Sequence, residues 1–246
     1  MLSFVREAFA QVELEEYEKA CAGCLRALDF RTELQRSGLL EHVLYSLSAI
    51  WLLQERYGEV IAFFSQYIER YPDDAAAYTA RAGGLWYLGQ LKEAVSDYSR
   101  ALELKPSNIV SLSGRGQVLA EMGNHEKCLE DLDLALRALQ TKAAAEPDWS
   151  EWCEESEGFV RRGRGVALAG LGKKEAAIEE FGSSLGLNSE NAWGYYSRAQ
   201  FHDAAGNYDQ ASSDYQMALM KKGPSLTPIQ REHAQERLRV CWLNPP

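Results

Sequence analysis

Apolar and small residues recur along this chain at spacings of three and four. Tyr78, Ala82 and Leu85 form one such run, and Ala94, Tyr98 and Ala101 form another. That is one face of a 3.6-residue helix, not the period-two alternation of a strand. The runs come in pairs, and the pairs return. Segments starting at Tyr78, Leu112, Arg161 and Tyr195 share one order: Arg and a small residue, Gly eight residues after the Arg, a small residue five after the Gly, Tyr, Leu or Phe four later, and a small residue three later. The step from Gly89 to Gly123 equals the step from Gly172 to Gly206, and the step from Gly123 to Gly172 is longer by an insertion. Each unit therefore reads as two helices. Between Ala75 and Asn108 the first runs from about Ala76 to Leu88, and Gly89 ends it in the left-handed conformation. The second runs from about Lys92 to Leu104, and Pro106 stops it. Asn108 and Asn191 stand where the next helix needs an N-cap.

Weaker marks extend the frame backwards: Val60, Phe64 and Pro72 stand one period before Ala94, Tyr98 and Pro106. Tyr17, Ala20 and Ala27 repeat the pattern near the start. The expected organisation is one domain over residues 1–246 with units at 1–34, 41–74, 75–108, 109–142, 158–191 and 192–225. A 6-residue spacer follows the first unit, residues 143–157 are an insertion, and residues 226–246 form a capping helix and tail. In that tail Thr227 caps, Pro228 takes the first turn, and Ile229, Leu238 and Trp242 face the last repeat.

This pattern closely resembles the tetratricopeptide repeat family. Gly89, Ala94, Tyr98, Ala101 and Pro106 carry the resemblance, with Gly206, Tyr208, Ala211, Tyr215 and Ala218 as counterparts. A 34-residue period repeated several times is a specific signal. Departures are Glu15 and Glu55 in place of the turn glycine, and Gln140 in place of proline. The resemblance implies an all-α fold, a right-handed superhelical solenoid of helix-turn-helix repeats whose first helices line a concave face.

A charge pattern lies on the same frame. Arg81, Arg115, Arg164 and Arg198 share one slot, and sixteen residues later stand Asp97, Asp131, Glu180 and Asp214. The turn glycine is the midpoint of every pair, so antiparallel helices bring the two members to one height. Where the Arg is missing the acid is missing too: Leu47 with Phe63, and Glu7 with Gly23. The spacing predicts an ion pair inside each of these four repeats rather than a basic track for an acidic ligand.

If Tyr78, Arg81, Ala82 and Leu85 pack inside a unit, the opposite stripe of that helix is left for a ligand. It supplies a candidate partner-binding groove of Tyr45, Trp86, Gln117, Arg162, Trp193, Tyr196 and Gln200, aromatic and little charged. Packing between neighbouring repeats is the competing role for each residue. Some members of the family clamp the carboxylate tails of heat-shock chaperones with Lys, Asn and Arg on this face. Here the stripe offers Tyr45, Ala49, Thr79, Gly83 and Ser113, with Arg162 as its only base, so no strong binding of acidic chaperone tails is expected. The insertion carries six acids, no base, and Trp149 and Trp152. Asp148 and Glu151 after Pro147 resemble a capping box opening a lengthened helix. The two tryptophans are a candidate second surface, with local packing of a longer hairpin as the alternative.

Composition narrows the function class. The 246 residues carry 36 acids and 26 bases, a formal charge of −10, which opposes binding to a polyanion. No run is long and apolar enough to span a membrane, and the first residues lack the pattern of a signal peptide. Five cysteines, an odd number, read as reduced thiols in a cytoplasmic setting. Cys21 and Cys24 lack matching partners for zinc and read as small apolar residues within a helix. The four histidines are scattered, with His125 and His202 in core slots, and there is no phosphate loop, catalytic set or metal cluster. The expected function is a noncatalytic scaffold or adaptor that binds a protein or peptide partner in its groove, without cofactor, metal, nucleic acid or membrane. The alternative is a structural or assembly subunit that self-associates as a homo-oligomer through its repeat ends.

Overall fold

The computed structural model describes residues 16–145, 150–221, 226 and 228–243. Among them are thirteen helices and no strand. In chain order these are α1 (Tyr17–Leu28), α2 (Arg31–Arg36), α3 (Leu40–Leu53), α4 (Tyr57–Arg70), α5 (Ala75–Tyr87), α6 (Leu91–Leu104), α7 (Ile109–Glu121), α8 (His125–Ala145), α9 (Ser150–Gly170), α10 (Lys174–Leu187), α11 (Ala192–Ala204), α12 (Tyr208–Met220) and α13 (Pro228–Leu243). The chain gathers into two compact units, one up to Val118 and one from Leu119. Short helix α2 runs from the end of the expected first unit, 1–34, into the spacer that follows it. Residues 1–15 of the expected first repeat lie outside the described residues.

The turn positions behave as backbone chemistry requires. Gly89, Gly123, Gly172 and Gly206 have φ between 73° and 76°. Glu55 takes φ 58° at the equivalent turn, the sole non-glycine residue with positive φ among those described. A side chain there meets its own backbone, at a cost of about 1 kcal/mol. Helix α6 ends at Leu104, ahead of Pro106. Asn191 caps α11 by accepting from the Gly194 amide at 3.2 Å, and Asn108 accepts from the Ser111 amide at 3.1 Å.

Small slots admit large ones within each hairpin. In the first unit Ala82, Ala94 and Ala101 are fully buried beside Tyr98. In the second, Phe181 fills the space left by Gly165, where an added Cβ would stand 2.7 Å from the ring. That close approach lets α9 and α10 pack as one hairpin. Phe181, Leu132 and Tyr215 are almost wholly buried, each contributing about 2–3 kcal/mol of apolar burial. The hairpin flanking the insertion is long: α8 and α9 have 21 residues each, against 13 or 14 for the helices of the hairpins from Ala75 and Ala192.

Two of the spaced charge pairs are bidentate. Arg81 donates from Nε and one terminal nitrogen to Asp97 at 2.6 and 2.8 Å, and Arg198 does the same to Asp214 at 2.7 Å twice. Arg164 donates to Glu180 at 2.9 Å. Three of these arginines also reach back to the second helix of the preceding repeat. Arg81 donates to Ser65 at 3.3 Å, Arg115 to Ser99 at 3.0 Å, and Arg164 to Asp133. Ser65, Ser99 and Asp133 occupy one slot in successive repeats. One guanidinium thus ties its own hairpin and staples it to its neighbour.

Candidate functional site

In the unit up to Val118 the stripe opposite the charge pairs is knitted shut. Helix α5 reads AAAYTARAGGLWY, and Ala75, Ala76, Ala77, Thr79, Ala80 and Gly83 are all buried. Their small volume lets α3 and the start of α7 meet across α5. The Asn108 side-chain amide donates to the Tyr45 hydroxyl at 2.7 Å, and Lys105 pairs with Glu41 at 2.7 Å. Thr79 and Ser111 hydroxyls lie 2.6 Å apart beneath. Burial pushes the Tyr45 hydroxyl pKa up, with Asn108 opposing the shift. Tyr45 is therefore a strut across the stripe. Gln117 is 5% exposed, inside the wall. Trp86 is half-buried against Ala82, Leu85 and Val118, with its ring 5.6 Å from that of Tyr87.

In the unit from Leu119, Arg162 is 6% exposed. Its guanidinium lies 5.0 Å from the ring centres of both Phe159 and Trp193, and it donates to Ser197 at 3.4 Å. Two aromatic faces shield the single base of the stripe, so it works as cation–π packing. Trp193 is half-buried and Gln200 is exposed. Tyr196 is 8% exposed, and its hydroxyl lies 3.0 Å from Nδ1 of His233 on α13. Asp203 accepts two bonds from Arg237 at 2.6 Å and a third from Tyr215 at 3.1 Å. The Arg237 guanidinium holds the Asp203 carboxyl below its ordinary range.

The seven stripe residues therefore divide. Trp86, Trp193 and Gln200 keep exposed surface, Tyr45 keeps part of its own while bonded to Asn108, and Gln117, Arg162 and Tyr196 are buried against neighbouring helices. Sequence periodicity cannot separate these roles, because the same helix face serves both ligand and next repeat. Trp152 is half-buried, and Trp149 lies outside the described residues, as do Pro147, Asp148 and Thr227; the side chains of Glu151, Ile229 and Trp242 do too.

Clefts among the described residues include one in each unit. One of about 350 Å³ lies in the first unit beside Ile61, Ser65, Arg81, Leu85, Glu93, Ser96 and Asp97, on the charge-pair side rather than on the stripe. The other, about 240 Å³, lies in the second unit between Gln200, Asp203 and Ala204 on one wall and His233 and Arg237 on the other, with Tyr215 in its floor. His202 is buried and its pKa is lowered by burial, which makes it a neutral core residue. All five cysteines are free and buried. Among the described residues no group of His, Cys, Asp and Glu could hold a metal ion, and no helix is long and apolar enough to cross a membrane.

A family model described as TPR repeat matches residues 85–123, from the last turn of α5 through the end of α7. The chain carries tetratricopeptide repeats. Two solved structures share the tetratricopeptide fold at low identity. A tetratricopeptide repeat protein from Parabacteroides merdae is 18% identical, with a TM-score of 0.53 over 98% of both chains. A thermophilic TPR protein from Thermus thermophilus is also 18% identical, with a TM-score of 0.59 over 81% of this chain and 99% of that one. By sequence, Hsp70-Hsp90 organizing protein 3 of Arabidopsis thaliana is 31% identical over 84 residues, 34% of this chain. The chain spans only 15% of that relative's length.

Proposed function

We propose that this tetratricopeptide chain is a noncatalytic adaptor that holds a peptide or a segment of a partner protein against its first helices. The observation that carries this reading is the division of labour on those helices. Tyr45, Thr79 and Arg162 are spent on contacts between repeats, while Trp86, Trp193 and Gln200 keep accessible surface. Partly exposed tryptophan beside neutral polar groups suits a protein ligand. The bound segment is not an acidic chaperone tail, because Arg162 is closed in by Phe159 and Trp193. Titration of such a tail by calorimetry tests that limit, and a tight complex overturns it.

The test of the main reading is quantitative capture from a cell extract by the wild-type chain, Trp86→Ala, and the double variant Trp193→Ala with Gln200→Ala. At least one captured partner is expected to fall tenfold or more with one variant. An identical captured set for all three refutes the groove. A second reading, self-association through a repeat end, is favoured by Leu25 and Phe30, which are 40% and 42% exposed near the first described helices. Light scattering decides it: a monomer at micromolar concentration removes self-association, and a dimer supports it.

A further inference from the structure

Helix α13 is a polar helix. Among its described side chains only Ala234 and Cys241 are buried, with Leu238 partly covered. By contrast α5 buries nine residues and α11 six. Beside that small apolar seam, side-chain bonds attach α13 to the two helices before it. Arg237 grips Asp203 of α11 twice at 2.6 Å, and Tyr215 of α12 supports the same carboxylate from below. His233 touches the Tyr196 hydroxyl at 3.0 Å, with its ring centre 5.8 Å from that of Tyr196 and 6.3 Å from that of Tyr215. Ala234 is fully buried in one apolar cluster with Tyr196 and Tyr215.

We propose that this face of α11 and α12 is a binding site for a basic helix, with α13 as its resident and exchangeable occupant. The pattern this face recognises is carried by α13 itself. An arginine meets Asp203, a small residue three positions earlier lets the helix sit down, and a histidine or aromatic residue four positions before the arginine packs on Tyr196 and Tyr215. Asp203 is the acid of this face, and the chain's net charge of −10 draws a cationic helix towards it. The 240 Å³ cleft beside Gln200 and Ala204 leaves the edge of the latch open. A helix held mainly by polar bonds lies at the low-stability end of a structure and detaches first. This inference rests on the reading that first-helix faces of this chain take partner segments.

The probe is a fluorescein-labelled peptide of residues 226–246, titrated by anisotropy into the full-length chain and its Arg237→Ala variant. Mass-resolved hydrogen exchange follows α13 in both proteins. In Arg237→Ala the α13 amides are expected to exchange at least tenfold faster, and the peptide to bind at least tenfold more tightly than to wild type. A peptide carrying Arg237→Ala loses that gain. Faster exchange without tighter peptide binding overturns the proposal, and so does unchanged exchange. If Arg237→Ala loses helicity by circular dichroism, Arg237→Lys, which keeps the charge but not the fork, carries the same comparison. No outside partner enters this assay, so its failure and the failure of extract capture are separate results.

Discussion

Replacing Arg81 with alanine removes three bonds at once: two to Asp97 and one to Ser65 of the preceding repeat. The Asp97 side chain, only 11% exposed, is left without the cation that neutralises it. A fully buried pair broken this way costs about 3–5 kcal/mol, and an exposed one below about 1. Arg81 is 23% exposed, so this pair falls between, and the expected loss is about 2–3 kcal/mol. Asp97→Ala should cost about 2 kcal/mol, and Ser65→Ala about 0.5–1 for one hydrogen bond. The informative quantity is the coupling. A double-mutant cycle on Arg81 and Asp97, read by urea unfolding, should give about 1–2 kcal/mol. Coupling of Arg81 with Ser65 should be smaller but measurable. A value for Arg81 with Asp97 below about 0.3 kcal/mol, the scatter of independent sites, refutes the claim that the guanidinium is a structural tie.

Three further outcomes follow from the geometry. Glu55→Gly relieves the left-handed turn and should stabilise the chain by about 0.5–1 kcal/mol, read as a rise in Tm of about 1–4 °C; a fall in Tm contradicts the strain. Burial pushes Cys21 up to about 11 and Cys24 and Cys128 up to about 12, so these thiols should resist iodoacetamide near pH 8 until the chain unfolds, and rapid labelling of the native protein rejects their burial. Because Arg237 depresses the Asp203 carboxyl in the folded state, its stabilisation is present above the unfolded value of about 3.9 and lost as pH falls through the folded one; Asp203→Asn should therefore flatten the decline in urea midpoint between about pH 6 and pH 3, and an unchanged profile counts against the latch.

The repeat frame is readable because packing inside a hairpin leaves a dense sequence trace. Gly89, Ala94, Tyr98 and Ala101 each answer a steric demand that recurs once per repeat, and Arg81 with Asp97 is visible because turn geometry fixes its spacing. The link from an Arg back to the preceding repeat leaves a fainter mark. Ser65, Ser99 and Asp133 share a slot but not a residue type, and they show a pattern only once the Arg is known to point that way. The stripe is least readable. Tyr45, Gln117 and Arg162 have the character of ligand contacts, yet the small residues of α5 and the rings of Phe159 and Trp193 turn them inward. Nothing local to Tyr45 announces its partner Asn108, 63 residues further along the chain.

The slot held by Ser65, Ser99 and Asp133 passes to Gly182 in the next repeat. Arg198 therefore grips Asp214 in its own hairpin but meets no side chain in that slot of α10. The contact between α10 and α11 lacks the polar rivet that fastens its counterparts. Under heat, force or denaturant, once α13 has come away, that junction is where the rest of the unit from Leu119 should part.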